Sequence, residues 1–181
     1  LSKPNAGHGP TLLFGYRYAL EQGADYVFQT DSDGQTLPDE FWPFWEGRRQ
    51  YDWQIGFRKH RQDGWSRVLV TKTLRLVVFL SFGVWVTDAN TPFRLMSAAT
   101  LAPHLDRVPE GYNLTNVLLS VLYKKSGQPG RFLEITFRPR QGGVNSINLK
   151  RIFKIGLRAV GDFHSLRKAV SAAGRARAEE K

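Results

Sequence analysis

The chain contains no cysteine, and this absence excludes several kinds of site. It has no disulfide framework, no thiol nucleophile and no cysteine-ligated zinc. A long apolar run is missing as well. The most apolar stretch, residues 74–86, is shorter than the roughly 20 residues that a membrane-spanning helix needs. Its length is typical of a buried core helix, and a helix lying at a membrane interface is the alternative.

The overall composition is that of an ordinary folded domain. Of the 181 residues, 41% are hydrophobic and 23% are charged, which excludes collagen-like, low-complexity and wholly disordered chains. The start at Leu1 carries neither a signal peptide nor an initiator methionine, so we expect the chain to belong to a longer one. We predict one domain over residues 1–170 and a basic Ala/Arg-rich tail over 171–181.

Charge is unevenly distributed along the chain, whose formal net charge is +10. Residues 21–46 contain seven acidic residues and no lysine or arginine, which favours a cation site. Residues 138–181 contain eleven Lys/Arg and three acidic residues, which favours an anionic partner such as phosphate, nucleic acid or a lipid surface. Solvated helix faces are the alternative for this basic third.

Helix-like and strand-like segments alternate, which predicts an α/β fold with a mixed, mainly parallel sheet flanked by helices. The predicted strands cover residues 26–30, 53–57, 92–96 and 132–137, and the predicted helices cover 10–22, 39–46, 66–82 and 113–125. A further long helix is predicted from Asn148. It has an apolar face and Lys/Arg residues at four-residue spacing. This pattern is typical either of a helix that lies on an anionic membrane surface or of a surface helix that packs its apolar face on the core.

Two carboxylates follow the first predicted strand. Asp31 and Asp33 lie where an open α/β sheet binds ligands, and residues i and i+2 of an extended segment project to one side. Hard divalent cations prefer carboxylate oxygens, and Mg²⁺ is usually shared with substrate phosphates. Gln35 could add an amide oxygen. An isolated Asp-x-Asp is often only a turn, so this pattern alone does not establish a metal site.

Three further motifs follow this acid pair in order. They are Gly56-Phe57-Arg58, Asp88-Ala89-Asn90-Thr91-Pro92-Phe93-Arg94 and Arg138-Pro139-Arg140-Gln141-Gly142-Gly143-Val144-Asn145-Ser146. Preceded by Asn5-Ala6-Gly7-His8-Gly9, the ordered set resembles the inverting family-2 glycosyltransferases of GT-A fold. It is most similar to the branch containing dolichyl-phosphate mannose synthase and other polyprenyl-phosphate sugar transferases. The resemblance covers nearly the whole chain.

The resemblance implies a donor site and a metal site. Asp31, Asp33 and Gln35 would hold Mg²⁺ or Mn²⁺ on the diphosphate of a nucleotide-sugar, where the metal neutralises charge on the leaving group. Asp31, Asp33 and Gly7 would bind the donor.

The resemblance also implies a catalytic residue and phosphate ligands. Asp88 would deprotonate an acceptor hydroxyl, or would position groups if the acceptor is already a phosphate monoester anion. Arg58, Arg94 and Arg140, with Ser146, would bind phosphates through charge-assisted hydrogen bonds. As structural alternatives, Arg94 would pair with Asp88, and Arg58 would be an exposed charge at a strand end.

The chain departs from the family pattern at three places. Pro92 replaces a glycine, which removes a backbone donor and fixes φ, and Ile147 replaces the lysine that follows the loop serine. Nothing before Leu1 corresponds to the family's first βαβ unit. We therefore expect an N-terminally incomplete GT-A domain with exposed sheet edges.

The expected function is transfer of a sugar from a nucleotide-sugar to an acceptor, with inversion. The leading acceptor is a polyprenyl phosphate, at the cytoplasmic face of the membrane. One alternative is another metal-dependent enzyme acting on nucleotide diphosphates, such as a nucleotidyltransferase. The other is a non-enzymatic basic module that binds anionic lipid or nucleic acid. Nucleic acid is not the expected partner, because residues 21–46 would repel it and no nucleic-acid-binding motif is present.

Overall fold

The computed structural model describes residues 1–58 and 65–138, together with Gly161 and Leu166, and for residues 65–71 it describes the backbone alone. Within these residues, helices alternate with strands. The helices are α1 (His8–Glu21), α2 (Phe41–Glu46), α3 (Trp65–Phe82), α4 (Ala98–Leu105) and α5 (Thr115–Ser126). The strands are β1 (Tyr26–Gln29), β2 (Trp53–Arg58), β3 (Arg94–Ser97) and β4 (Gly130–Ile135). Short 3₁₀ turns occupy Pro38–Glu40 and Gly47–Arg49.

The four strands form one mixed sheet in the order β1-β3-β2-β4. Strand β3 pairs antiparallel with both β1 and β2, and β4 pairs parallel with β2. The prediction of a mixed α/β sheet flanked by helices is confirmed. Of the described strands, β1, β2 and β4 run in the same direction and β3 runs against them, so two of the three pairings are antiparallel. Hydrophobic periodicity carries no information on strand direction, so the placement of β3 was not predicted.

This topology gathers several chain segments at one edge of the sheet. Strands β1, β2 and β4 run in the same direction, so their carboxyl ends share an edge with the amino end of β3. A short connection reverses the chain between α1 and β1, so the amino end of α1 faces this edge as well. We call this the catalytic edge, after the catalytic and metal-binding residues that the sequence analysis predicts there.

The two faces of the sheet bury different sets of side chains because strand residues alternate in direction. One face supplies Val27 and Met96 to the main core, which α1, α3, α4 and α5 complete. Leu166 packs into the same core. The opposite face supplies Phe28 and Leu95 to a smaller aromatic core with α2.

The predicted helices and strands are confirmed to within two or three residues at most boundaries, for the segments that the structure describes. Helix α4 was not predicted, and Pro103 in its interior would ordinarily argue against it. The helix forms because the Ser97 hydroxyl caps it, accepting from the Thr100 amide at 3.3 Å, and because Leu101 and Leu105 are buried. The helix predicted from Asn148 and the boundary at residue 170 lie outside the described residues.

Within the part of the chain that the structure describes, no helix is both long enough and apolar enough to cross a bilayer.

Candidate active site

The catalytic edge brings together residues that lie far apart in sequence. The turn containing Asp31 and Asp33 follows β1, Arg58 is the last residue of β2, Asp88 lies in the loop before β3, and Arg138 follows β4. Each of these segments is positioned there because the strand that it follows or precedes is anchored in the sheet by ladder hydrogen bonds. These parts of the sequence motifs therefore lie at one edge of the sheet, outside the strand ends, where open α/β sheets bind ligands.

The turn over residues 31–35 is internally fixed. The Gln35 amide donates to Asp33 Oδ1 at 3.2 Å, which closes a side-chain turn around Gly34. Gly34 has φ 71°, in the left-handed region that favours glycine. The turn thus holds Asp33 in a defined orientation without help from a ligand.

Gln35 ties this turn to the end of β4. Its Nε2 donates to the Arg138 carbonyl at 2.9 Å, and the Arg138 amide donates to the Gln35 carbonyl at 2.8 Å. Gln35 is buried, unlike the neighbouring carboxylates. Its observed contact is therefore a link between two loops of the catalytic edge, which the sequence pattern did not suggest.

The donor chemistry of the turn suits a cation shared with a diphosphate. Asp31 and Asp33 are half-buried and offer hard carboxylate oxygens. Among the described residues, no group of three or more His, Cys, Asp or Glu side chains could hold a metal by itself. Two carboxylates with substrate phosphates completing the shell are the arrangement typical of Mg²⁺.

Asp88 forms an ion pair with Arg58 at the same edge. Arg58 Nε donates to Asp88 Oδ2 at 2.8 Å, and Nη2 donates to Oδ1 at 2.9 Å. The side chains are only 9% and 6% exposed, so Arg58 is not the exposed strand-end charge that was one alternative. The Arg58 guanidinium also lies over the Phe137 ring, 4.8 Å from its centroid. This bidentate pair holds the loop before β3 against the end of β2.

Arg94 is fully buried, with 0% exposure, and lies beneath the site. Its guanidinium donates to the Thr91 carbonyl at 2.8 and 3.1 Å, to the Ala89 carbonyl at 3.3 Å and to the Asn116 carbonyl at 3.2 Å. A side chain without exposed surface makes no contact with a phosphate from solvent, so the observed conformation does not contain the predicted phosphate contact. Arg94 instead fixes the path of the loop before β3.

Gly7 and Gly9 allow close packing at the amino end of α1. Gly7 has φ 98° and precedes the first helical residue. A Cβ on Gly9 would lie 2.0 Å from the Tyr112 carbonyl oxygen, so only glycine permits this approach. Gly7, which the sequence predicts to bind the donor, lies at the amino end of α1, and this end faces the catalytic edge.

Two predicted phosphate ligands, Arg140 and Ser146, lie outside the described residues. In contrast, the structure reveals buried polar residues under the site that no sequence motif indicated: Tyr16, Gln29, Asn116 and Ser120. Tyrosine, glutamine, asparagine and serine occur in many helices and strands. These four residues differ from others of the same types only because they lie close together in space.

No family model matches the chain. The chain is similar to an undecaprenyl-phosphate mannosyltransferase from Micrococcus luteus, with 27% identity over 151 residues that cover 78% of this chain and 61% of the relative. It is also similar to a UDP-N-acetylglucosamine–dolichyl-phosphate N-acetylglucosaminyltransferase from Methanococcus voltae, with 29% identity over 106 residues, 54% of this chain and 41% of the relative. The chain thus spans about three-fifths of the length of the first relative and about two-fifths of the length of the second. Both are named as sugar transferases that use a polyprenyl phosphate.

Proposed function

We propose that this chain forms part of a glycosyltransferase that moves a sugar from a nucleotide-sugar donor to a polyprenyl phosphate. The observation that carries the proposal is the convergence, at one sheet edge, of the acidic turn at 31–35 with the Arg58–Asp88 ion pair. The two distant relatives, both named as polyprenyl-phosphate sugar transferases, support the substrate class.

The proposed reaction is a single displacement at the anomeric carbon. An oxygen of the acceptor phosphate attacks that carbon and forms the new C–O bond. The bond to the donor diphosphate breaks, and the nucleoside diphosphate leaves with the electron pair. One displacement inverts the anomeric configuration. The protein must therefore hold two anionic groups close together and stabilise the charge that develops on the leaving diphosphate.

In this proposal, Asp31 and Asp33 hold Mg²⁺ or Mn²⁺ on the donor diphosphate, and Gly7 at the amino end of α1 lies near the donor. A divalent cation bound there would neutralise negative charge on the departing diphosphate. Gln35 contributes chiefly by fixing the turn, because its side-chain amide is bonded to the Arg138 carbonyl.

Asp88 acts in this proposal as a positioning residue. Both of its carboxylate oxygens accept hydrogen bonds from Arg58, and taking up a proton would break one of them. An acceptor phosphate is already ionised at neutral pH, so it needs little base catalysis. The Arg58 guanidinium has further N–H donors besides the two that reach Asp88, and we propose that these contact the acceptor phosphate together with Arg140 and Ser146.

We propose that the protein lies at the cytoplasmic face of a membrane, and an exposed apolar surface on α3 and just after it supports contact with lipid. Leu76, Phe79, Leu80 and Trp85 are 44–70% exposed, and Lys72 is exposed one turn before them. Arg75 lies beside Trp85, with its guanidinium 5.4 Å from the ring centroid. Apolar and aromatic residues flanked by basic ones are typical of a helix that lies in the lipid headgroup region. A lipid acceptor would enter the catalytic edge from this side.

The catalytic proposal is tested with Asp33→Asn in the intact protein. Purified protein is incubated with polyprenyl phosphate, Mn²⁺ and labelled UDP-, GDP- or TDP-sugars, and the lipid-linked sugar is measured. We expect transfer from one donor, and a loss of roughly 100-fold or more in Asp33→Asn because a cation ligand is removed. The matched control is Asp39→Asn, an exposed carboxylate of the same acidic segment, which should retain activity.

Two outcomes would overturn the catalytic proposal. One is the absence of sugar transfer from every donor. The other is equal activity of Asp33→Asn and Asp39→Asn. Release of a sugar 1-phosphate from the donor, instead of a nucleoside diphosphate, would indicate nucleotidyl transfer.

Membrane placement is tested by vesicle sedimentation with the intact protein. We expect binding to anionic vesicles and a severalfold loss in Leu80→Glu, since a charge at a buried lipid-facing position is unfavourable. Phe14→Glu on α1, which exchanges another exposed apolar residue, is the control and should bind like the unmodified protein. Equal binding by the two variants would reject α3 as the membrane contact.

A further inference from the structure

We propose that Tyr16, Gln29 and Asn116 form a buried positioning network that fixes the 31–35 turn relative to the loop before β3. The inference rests on the proposed function, because the turn is the proposed donor site. It assigns a role in catalysis to residues that contact neither substrate nor cation.

The network begins at the last residue of β1. Gln29 lies directly opposite Arg94 in the β1–β3 register, so both side chains project from the same face of the sheet. The Tyr16 hydroxyl, from α1, donates to Gln29 Oε1 at 2.5 Å and lies 3.4 Å from Asn116 Oδ1 on α5. The hydroxyl has one proton, which Gln29 accepts, so the link to Asn116 is made with its amide turned so that the nitrogen donates to the hydroxyl oxygen. One hydroxyl thereby connects two helices to the strand end, two residues before Asp31.

The second half of the network reaches the loop before β3. The Asn116 carbonyl accepts from Arg94 Nη1 at 3.2 Å and from the Ser120 hydroxyl at 2.7 Å. That hydroxyl also lies 3.1 Å from the Ala89 carbonyl, which follows Asp88 in sequence. Contacts are therefore continuous from the strand end that carries the acidic turn to the loop that carries Asp88.

The energetics of the network argue against a purely stabilising role. Tyr16, Gln29 and Asn116 are each at most 6% exposed. Gln29 Nε2 is buried and has no acceptor among the described residues. A buried donor without a partner is unfavourable, and apolar side chains would fill the same space without that penalty. Burial also raises the pKa of Tyr16, which keeps its hydroxyl protonated and able to donate.

A positioning role follows from where the network ends. Transfer requires the donor diphosphate, held at the turn, and the acceptor, held near the Arg58–Asp88 pair, to be aligned at bonding distance. A misplacement of about 1 Å can lower the rate on the order of 100-fold. Tyr16 links the supports of these two loops beneath the site, so it controls their spacing without touching the reactants.

The test is Tyr16→Phe in the intact protein, with Tyr123→Phe as the matched control. Tyr123 is also fully buried, but its hydroxyl contacts the Met96 sulfur at 3.2 Å and makes no hydrogen bond to Gln29 or Asn116. In Tyr16→Phe we expect kcat to fall about tenfold, with a smaller change in the KM for the lipid phosphate. We also expect a severalfold rise in the Mn²⁺ concentration needed for half-maximal thermal stabilisation by UDP or GDP. Tyr123→Phe should change neither quantity.

Equal kcat and equal Mn²⁺ dependence in the two variants would overturn the network while leaving the proposed function intact. If the unmodified protein transfers no sugar, the proposed function fails. The network is then judged by thermal stabilisation alone: a Mn²⁺–nucleotide shift that Tyr16→Phe weakens supports it, and any other result rejects it. If Tyr16→Phe does not fold, Gln29→Met removes the same link with a side chain of similar length and must give the same changes.

Discussion

A substitution of Arg94 distinguishes two roles of this residue, as a ligand for phosphate or as a cation that stabilises the fold. Replacing it with methionine keeps much of its volume and removes the guanidinium, which makes four hydrogen bonds of 3.3 Å or less to three carbonyls. The single proton of the Ser120 hydroxyl can serve either the Ala89 or the Asn116 carbonyl, whereas the Thr91 carbonyl loses both of its bonds to Arg94.

The magnitude follows from these contacts. Hydrogen bonds to charged groups contribute about 1.5–3 kcal/mol each, and part of this is offset because a buried charge no longer has to be desolvated. We expect Arg94→Met to lower the free energy of unfolding by about 3 kcal/mol. A residue that only bound phosphate would give a change below about 0.5 kcal/mol.

Urea unfolding of the intact protein, followed by tryptophan fluorescence, measures this difference as a shift in midpoint at constant slope. The control is Arg17→Met, which removes a half-buried arginine that pairs with the exposed Glu110 on the surface. We expect the control to change stability by at most about 1 kcal/mol. The structural role would be refuted if the Arg94→Met protein were as stable as the Arg17→Met protein but bound its substrate more weakly. That result would support a contact between Arg94 and phosphate.

Two further stability predictions concern α1 and α4. Gly9→Ala should destabilise the fold by about 2 kcal/mol in urea unfolding, because the new Cβ would collide with the Tyr112 carbonyl. Burial lowers the pKa of His104 below its usual value near 6.5 despite a hydrogen bond with the Thr100 carbonyl. The unfolded chain therefore takes up this proton at higher pH than the folded protein does. Stability should fall as pH decreases below about 6.5, by at most about 1.4 kcal/mol per pH unit from this group.

Each of these predictions has an internal control. Gly15→Ala lies in the same helix with open space around the new Cβ, and it should stabilise by up to about 1 kcal/mol. Equal effects of the two alanines would show that the contact at Gly9 is not tight. For His104, the comparison is His104→Phe between pH 7.5 and pH 5. An unchanged pH dependence in that variant would assign the titration to other groups.

The acidic turn illustrates how far the sequence could lead. Strand β1 was predictable because a short β-prone run ends abruptly at Asp31, and Asp-x-Asp at a strand end is a known kind of cation site. The contact of Gln35 with Arg138 was not predictable, since it joins residues 103 positions apart and depends on the parallel pairing of β4 with β2.

The roles of the two arginines could not be distinguished from the sequence. From the sequence, Arg58 and Arg94 were equally good candidates for binding phosphate. Arg58 ends β2 and Arg94 begins β3, so both lie at the same edge of the sheet. The structure separates them. Arg58 pairs with Asp88 at the edge, whereas the side chain of Arg94 points into the core beneath it. Which face a side chain occupies depends on strand register, and a shift of one residue would exchange the two faces.

The sequence by itself determined the order of helices and strands, the cysteine-free chemistry and the succession of motifs, since these depend on local composition and spacing. Only the tertiary structure decided that β3 runs against its neighbours, that Arg58 rather than Arg94 holds Asp88, and that Tyr16, Gln29 and Asn116 meet under the site. These features arise from packing between segments distant in the chain, where burial and hydrogen-bond geometry select one arrangement among many that the local pattern permits.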